Sequence, residues 1–341
     1  MSYKINNIVD VNILTDTLYR GAINFRAPPV IVIPVIFPPL DWGAISGGLV
    51  AQSIAINGDT LIVGLSNNML RISNNGGLTF NADQTANVGR NDIPIAVICA
   101  TDSVIIAGSW FKNSSRSVDG GVSFSPVLAF AVTANCESII HVGGSVFIMG
   151  GTGGYISKTI NDAALWSSLE KGAGSGSLTD IVDSIAKNST IILFALRNGY
   201  LSSSTISSAG DSFSPLARWA GGSVGSVPVT TTVGDNIILM YSQQTYFKHT
   251  TNGVDWFEVT LPWPAFAVSG DSNGNLVVTE SGTGGRSILY QNSDFTSYTS
   301  LPNDLNNGNP SASIITNVVN NGDGKWFAND GQYNSISPPL I

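Results

Sequence analysis

The sequence predicts an all-β fold built from repeated sheets, and its composition, an internal repeat and a set of short apolar runs support that prediction. Charged residues make up 11% of the 341 residues, against about 25% in a typical soluble domain. Glycine, with 37 residues, and many Ser, Asn and Thr residues take their place. Because Gly and Asn tolerate turn dihedrals, and Ser and Thr bond locally to the backbone, this composition favours many short strands joined by tight turns.

A short pattern of a polar turn followed by an aromatic residue recurs along the chain. Its clear copies are Ser73–Phe80 and Ser117–Phe124, and looser copies span 159–166, 208–213, 251–256 and 293–298. Since one four-stranded propeller blade takes about 40–45 residues, this spacing predicts a seven-bladed β-propeller. The aromatic residues are 38 to 47 positions apart and are Trp42, Phe80, Phe124, Trp166, Phe213, Trp256 and Tyr298.

Each repeat also contains a run of apolar, β-branched residues that predicts the second strand of a blade. The runs begin at residues 60, 103, 145, 190, 236, 275 and 325. Runs of four to six such residues, bounded by Gly, Asn or Asp, are typical of strands buried on both faces. No segment shows a sustained helical period.

The seventh unit lacks a fourth strand, and a strand of the missing type lies near the N-terminus. Residues 312–316, 325–328 and 333–337 supply the three predicted strands of the last blade, and Leu40–Ile45, with Trp42, supplies the fourth. Because an open ring would leave strand edges unpaired, we expect this N-terminal strand to close the ring. The predicted organisation is an extended arm over residues 1–37 and a propeller over 38–341.

The repeated Ser/Thr-x-Asp/Asn-x-Gly-x-x-aromatic pattern resembles the Asp box, or BNR repeat, of sialidases, two-propeller xyloglucanases, sortilin-type receptors and photosystem II assembly factors. The resemblance implies that the pattern holds the turn between the third and fourth strands of a blade, away from the binding face. The acid or amide would accept backbone N–H bonds, and the aromatic would pack between blades. We therefore expect structural roles for Ser73, Asn75, Gly77, Phe80, Ser117, Asp119, Gly121, Phe124, Asn161, Trp166, Phe213, Gly253 and Trp256.

The residues give little support for an enzyme. Phe25-Arg26-Ala27-Pro28 is similar to the Phe/Tyr-Arg-Ile-Pro that opens sialidases, but it precedes the first blade and leads into an apolar run. His141 and His249 are isolated in the sequence, which disfavours a metal site or a His-based triad. We expect no catalytic residues, no metal and no cofactor, with a carbohydrate-active or carbohydrate-binding propeller as the alternative.

The charge of the chain disfavours nucleic-acid partners, its hydropathy disfavours a membrane span, and the setting of its two cysteines predicts free thiols. The net charge is −8 and the 15 basic residues are scattered, whereas nucleic-acid binding needs clustered Lys and Arg. The longest apolar stretch, 30–37, is broken by Pro34 and is far shorter than the roughly 20 residues that span a bilayer. The first residues lack the apolar core of a signal peptide. Cys99 and Cys136 lie in apolar runs, which predicts buried free thiols.

A binding face is predicted where the loops between second and third strands meet the connections between blades. Exposed aromatic and Arg side chains on loops are common anchors of recognition surfaces, with packing between blades as the alternative at each position. The candidates are Trp110, Phe111, Arg197, Arg218, Trp219, Tyr246, Trp263 and Arg286.

The arm over residues 1–37 is predicted to dock on another subunit. Ile5, Ile8, Val9 and Val11 begin a strand-like apolar pattern that would be exposed unless it added to a partner's sheet. A docking arm and a low-charge surface favour a non-catalytic structural module of a bacteriophage virion, in the tail, baseplate or capsid. Its propeller would display a face to a host-surface glycan or protein. A role like that of photosystem II assembly factors is disfavoured because their arginine-rich patch and export signal are absent.

Overall fold

The computed structural model describes fifteen parts of the chain. Within them the secondary structure is strand, apart from one 3₁₀ turn at Thr152–Gly154. The arm over residues 1–37 and the predicted closing strand Leu40–Ile45, which contains Trp42, lie outside the described residues. The described residues are 51–77, 79–88, 95–110, 113–130, 134–169, 181–197, 199–207, 217–218, 227–281, 286–291, 293, 295–301, 317–320, 326–329 and 334–337.

The first four sheets follow one another along the chain, and in each the strands pair antiparallel in chain order. Sheet 1 contains β1 (Ala51–Asn57), β2 (Thr60–Leu65), β3 (Met69–Ser73) and β4 (Gln84–Thr85). Sheet 2 contains β5 (Ile95–Ala100), β6 (Ile105–Ser109), β7 (Asn113–Ser117) and β8 (Ser125–Leu128). Sheet 3 contains β9 (Cys136–Gly143), β10 (Val146–Gly151), β11 (Ile156–Thr159) and β12 (Ser167–Leu169). Sheet 4 contains β13 (Val182–Lys187), β14 (Ile191–Leu196), β15 (Tyr200–Thr205) and β16 (Ala217–Arg218).

The remaining sheets continue the same antiparallel order. Sheet 5 contains β17 (Pro228–Val233), β18 (Asn236–Tyr241), β19 (Tyr246–Thr250) and β20 (Phe257–Thr260). Sheet 6 contains β21 (Ala265–Gly270), β22 (Leu276–Glu280), β23 (Ser287–Tyr290) and β24 (Tyr298–Leu301). Sheet 7 has three strands among the described residues, namely β25 (Asn317–Asn320), β26 (Trp326–Asn329) and β27 (Asn334–Ser337).

The all-β prediction is confirmed, and every predicted apolar run overlaps the second strand of a sheet. The predicted first strand of sheet 7, residues 312–316, lies outside the described residues, and the strand that the structure describes there is Asn317–Asn320. The apolar character of the sequence continues from Ile314 to Val319, so the predicted run leads into β25.

The core lies between consecutive sheets, because the second strands have no exposed face. Leu61, Ile62 and Val63 of β2 are all fully buried. Ile62 belongs to a cluster with Ile105 of sheet 2, and the same kind of cluster joins each later pair of sheets. In sheet 7, Val318 packs with sheet 6, and Val319 packs with the buried residues of sheet 1.

One hydrogen-bonded turn recurs between the third and fourth strands, where the repeated sequence pattern lies. In sheet 2, Ser117 Oγ donates to Asp119 Oδ1 at 2.7 Å and accepts from the Gly121 N–H at 2.8 Å. Asp119 Oδ1 accepts from the Ser123 N–H at 3.0 Å. Gly121 has φ +90°, and a Cβ there would lie 2.4 Å from Ile72 Cδ1 of sheet 1. These hydrogen bonds therefore stabilise the backbone of the turn, and the lack of a Cβ at Gly121 lets Ile72 of sheet 1 pack closely against it.

Three other sheets repeat this turn with different residues. The side chains of Asn75, Asn161 and Asn252 accept backbone N–H bonds at 2.9 to 3.0 Å. The aromatic residues that end the turns pack between sheets: Phe124 with sheet 1, and Trp166 with sheet 2. Phe80 and Trp256 are partly buried against neighbouring clusters, and Phe213 lies outside the described residues.

Both cysteines are free, with Cys136 buried and Cys99 partly buried. Burial raises the pKa of both thiols, that of Cys99 to about 12. Both side chains are therefore protonated and poorly nucleophilic at neutral pH.

Candidate functional site

The candidate site lies at the end of the strands where second strands connect to third strands. Because the strands alternate in direction, the connections between sheets lie at this same end, and we call it the loop face. Trp110, in the connection from β6 to β7, is 41% exposed there. The loop is held by Ser109 Oγ, which donates to the carbonyl oxygens of Trp110 and Asn113, both at 3.2 Å.

A β-bulge recurs where five of the first strands begin at this face. The pairing register shifts around the second residue of each strand, so that the ladder skips this residue. Bulges re-aim a side chain and are common next to functional sites. The residues at the bulges are Gln52, Ala96, Glu137, Asp183 and Phe266.

The bulges of two neighbouring sheets carry acids, Glu137 and Asp183, and an arginine is paired with the second. Arg197 binds Asp183 with both ends of its guanidinium, Nε to Oδ2 at 2.8 Å and Nη2 to Oδ1 at 2.6 Å. The Asp183 side chain is 4% exposed and that of Arg197 is 35% exposed. The hydrogen bond to Asp183 raises the pKa of Arg197, so the cation is fixed at this position.

Burial sets the acidity of both carboxyl groups. Loss of water raises the pKa of Glu137, and the nearby Asp183 carboxylate raises it further, while Arg197 opposes the shift. Burial also raises the pKa of Asp183 against the lowering effect of Arg197. Two acids around one guanidinium carry one excess negative charge when both are ionised. We call Glu137, Asp183 and Arg197 the charged triplet.

Asn135 connects the triplet to the loop that follows β10. Its side chain bonds to Glu137, and its backbone exchanges two hydrogen bonds with Thr152, at 3.0 and 3.2 Å. Asn135 therefore links Glu137 to the loop Thr152–Gly154.

A second ion pair lies on the loop face of sheet 6. Arg286 Nε donates to Glu280 Oε2 at 2.7 Å, and Nη2 donates to Oε1. The Glu280 side chain is 9% exposed, whereas that of Arg286 is 58% exposed. The Arg286 guanidinium lowers the pKa of Glu280. Arg286 therefore presents an oriented cation to the solvent.

Some of the residues predicted for the binding face are exposed in the structure, and others are buried. Trp110, Arg197 and Arg286 reach the surface, and Tyr246 begins β19, half-buried, with Lys248 Nζ 5.9 Å from the centre of its ring. Trp263 is only 8% exposed and belongs to the core cluster of sheets 5 and 6, so packing is its role here. Arg218 ends β16, and Phe111 and Trp219 lie outside the described residues.

The sequence prediction did not single out Glu137 and Asp183. A signal was present, since each precedes a Ser whose hydroxyl bonds to the next sheet. Ser138 Oγ donates to the Val182 carbonyl oxygen at 2.8 Å, and Ser184 Oγ bonds to Thr230 Oγ1 at 2.8 Å. Gln52 and Ser53 repeat the arrangement, with Ser53 Oγ bonded to the Ile95 carbonyl oxygen at 2.7 Å.

Comparison with solved structures gives the fold. Virginiamycin B lyase from Staphylococcus aureus, in a catalytically inactive form with quinupristin, superposes with a TM-score of 0.68 at 12% identity, covering 89% of this chain and 98% of that one. YCF48 from Cyanidioschyzon merolae gives 0.64 at 12%, covering 88% and 100%, and YCF48 bound to D1 peptide gives 0.63 at 11%, covering 89% and 98%. The Neurospora crassa Pan2 WD40 domain gives 0.62 at 12%, covering 85% and 90%. The chain has a β-propeller fold.

The sequence comparisons add no family. No protein-family model and no curated protein matches the chain. The propeller fold hosts both catalysis and binding, as these structures illustrate, so function has to be argued from the site.

Both histidines of the propeller lie away from the loop face, toward the ends of the strands where first strands turn into second strands and third into fourth. His141 bonds to the Gly144 carbonyl oxygen at 2.7 Å, and His249 Nδ1 bonds to Asn236 Oδ1 at 3.0 Å. In the described part of the chain, no three His, Cys, Asp or Glu side chains converge as a metal site. Among those same residues no helix has the length and hydropathy to cross a bilayer.

Proposed function

We propose that this propeller is a non-catalytic recognition module that binds a segment of a partner protein at the loop face. The charged triplet is the observation on which the proposal rests, because it places two acids at bulges on this face together with an arginine that is paired to one of them. Exposed Trp110 and Arg286 add an aromatic anchor and a second fixed charge on the same face. Aromatic and Arg side chains dominate the energetics of protein interfaces. YCF48 bound to D1 peptide is a precedent for peptide binding by a propeller.

The positions of the titratable groups support a non-catalytic role. Asp183 is held by two guanidinium nitrogens, whereas glycoside hydrolysis needs a free pair of carboxyl groups facing the scissile bond. His141 and His249 are bonded at the far ends of the strands. Virginiamycin B lyase has the same fold and is an enzyme, so the fold itself does not decide the matter.

We also infer a closed ring of seven blades. Its support is the packing of Val319 on sheet 1 and of Val318 on sheet 6, together with the contact of β25 with β1. Sheet 7 has three strands among the described residues, and Leu40–Ile45 is the proposed fourth. The turn geometry of sheets 1, 2, 3 and 5 supports the assignment of the repeated pattern as an Asp box.

The proposed setting is a bacteriophage virion, with residues 1–37 docked on another subunit. This part of the proposal rests on the apolar pattern of those residues and the low charge of the chain. Deletion of residues 1–37 should leave the melting temperature of the propeller unchanged and abolish its incorporation into particles. Incorporation of the truncated chain would contradict the docking role.

Binding at the loop face is tested by selecting peptides and measuring their affinity for matched variants. Random peptides displayed on yeast are selected on the wild-type propeller, and fluorescence anisotropy then gives the Kd of each enriched peptide. Trp110→Ala and Arg197→Gln should each raise Kd at least tenfold. Arg71→Gln is the matched control, because it breaks a bidentate Arg–Asp pair between β3 and the segment before β4, with Nε–Oδ1 at 2.8 Å. Equal losses in all three variants, or no enrichment, would contradict the proposal.

A further inference from the structure

The opposite end of the strands carries exposed aliphatic side chains on two adjacent turns. We call this end the turn face, since it holds the turns from first to second and from third to fourth strands. Val118 and Val122 of sheet 2 are 57% and 76% exposed, and Ile160 and Leu165 of sheet 3 are 69% and 72% exposed. These four residues are the aliphatic patch. Contiguous exposed apolar surface on a soluble protein commonly marks an interaction site.

The turns do not need aliphatic residues at three of these four positions. In sheet 1 the residue equivalent to Val118 and Ile160 is Asn74, and the residue equivalent to Leu165 is Thr79. Asn74 and Thr79 are exposed in a turn with the same hydrogen bonds. The fold therefore accepts polar residues at the positions of Val118, Ile160 and Leu165, whereas at the position of Val122 sheet 1 has Leu78 and sheet 3 has Ala164.

Hydrogen bonds between sheets hold the sheet 3 turn of the patch and, on the same face, the β5–β6 turn of sheet 2. Arg116 of sheet 2 donates from Nη1 to the carbonyl oxygens of Asn161 and Asp162 in the turn of sheet 3, at 3.4 and 3.0 Å. Asn57 of sheet 1 bonds to Asp102 of sheet 2 at 2.7 Å. A surface that is already rigid loses little conformational entropy when it binds.

The charge around the patch indicates the kind of partner. Two cations near this face donate to backbone carbonyl oxygens, Arg116 as above and Lys187 to the Val142 carbonyl oxygen, and Lys158, which precedes the turn of sheet 3, is buried. Hydrogen bonds from Ser123 and Ser117 lower the pKa of Asp119 to about 2, so that carboxylate is ionised at neutral pH. The acids on the turns of this face, among the described residues, are Asp59, Asp102, Asp119, Asp162, Asp235, Asp255 and Asp271, of which Asp102, Asp119 and Asp162 belong to sheets 2 and 3.

We propose that the aliphatic patch and these acids dock a cationic, amphipathic polypeptide segment of a partner protein. An anionic lipid surface would be repelled by the acids, and a second copy of the same face would place like charges together. A basic segment with an apolar side complements both features, as in recognition of amphipathic helices by grooves. This surface is separate from the loop face, so the inference does not depend on the function proposed above.

The test uses a fluorescein-labelled 18-residue helix of leucine and lysine and a matched helix of leucine and glutamate. The quadruple variant V118N/V122T/I160N/L165T places polar residues at all four positions of the patch, and those at 118, 160 and 165 are the residues that sheet 1 has there. The leucine–lysine peptide should bind the wild-type chain at least tenfold more tightly than the quadruple variant, and the leucine–glutamate peptide should bind neither. Leu128→Thr, at a 61% exposed position in β8, is the control and should bind the cationic peptide as the wild type does.

Three results would overturn the inference. Equal affinity of the wild type and the quadruple variant for the leucine–lysine peptide would show nonspecific attraction to the acids. Binding of wild-type protein, but not the variant, to phosphatidylglycerol vesicles would identify the patch as a lipid surface. Dimerisation in analytical ultracentrifugation that the quadruple variant abolishes would identify it as a self-association face. Equal melting temperatures of wild type and variant, which we expect because all four residues are exposed, exclude misfolding.

Discussion

At the scale of single residues, the charged triplet lowers the free energy of unfolding at neutral pH, because Glu137 is charged and partly buried there. Glu137 is partly buried next to a carboxylate, and burial is the main reason that its pKa is raised. A group whose charged form is disfavoured in the folded state weakens folding at a pH where it is ionised. Residues that oppose stability in this way often serve binding, because function and stability are commonly in conflict.

We expect Glu137→Gln to melt at a higher temperature than the wild type at pH 7, because it removes the buried charge. The folded-state pKa lies above the unfolded one, so the wild-type carboxyl takes up its proton first in the folded state as pH falls. The advantage of the substitution should therefore shrink as pH falls through the folded pKa, and vanish below the ordinary value of about 4.5.

Thermal unfolding at pH 4, 5, 6 and 7 checks this prediction. The control is Glu258→Gln, a 53% exposed carboxylate 3.5 Å from Lys248, for which we expect changes within about 0.5 kcal/mol. A Glu137→Gln variant that is less stable than the wild type at pH 7, or a difference that does not depend on pH, would contradict the electrostatic account.

At the scale of the element, the turn between third and fourth strands depends on one buried hydroxyl. Ser117 is 1% exposed and its Oγ serves both Asp119 and the Gly121 N–H. Ser117→Ala would leave the buried Gly121 N–H without this acceptor, which costs about 1–3 kcal/mol. Urea unfolding measures the loss, and Ser125→Ala, an exposed position in β8, should change stability by less than about 0.5 kcal/mol. Equal effects of the two substitutions would mean that the turn does not depend on this hydroxyl.

The sequence predicted the strands better than it predicted the site. The second strands were identifiable because burial on both faces leaves an apolar run such as Leu61–Val63, and the turns because their polar residues have fixed spacing. The bulges at Glu137 and Asp183 arise from pairing register, which depends on which residues of two strands meet. Likewise, the burial of Trp263 is decided by the approach of sheets 5 and 6, which no local pattern encodes.

Close approach of sheets explains a further feature of the second strands. A Cβ on Gly150 would lie 2.5 Å from Val182 Cγ1 and 2.7 Å from Ser138 Oγ, and one on Gly64 would lie 2.4 Å from Ser53 Oγ. Glycine at these positions lets the first strand of the next sheet pack against the bulge. The serine that follows each bulge then reaches the next sheet, so the bulges and the packing between sheets are parts of one arrangement.

At the scale of the whole molecule, the proposed ring depends on a strand near the N-terminus. Trp42 is the aromatic residue of that strand in the sequence prediction, and it lies outside the described residues. If the strand completes the last blade, Trp42→Ala should cost about 3–5 kcal/mol, the usual penalty for removing a large buried aromatic side chain. Trp110→Ala, at a 41% exposed position, is the control and should change stability little. An unchanged melting temperature for Trp42→Ala would contradict closure by this strand.

Recognition of a protein segment by the loop face can be tested by hydrogen–deuterium exchange of the propeller with and without a selected peptide. Peptide binding at the loop face should slow exchange at the starts of β9 and β13, where the bulges lie, and in the loops after β6 and β10. Exchange in the turns at residues 117–124 and 159–166 should be unchanged by that peptide. Protection confined to those turns, or no protection at the bulges, would contradict the assignment of the loop face as the recognition surface.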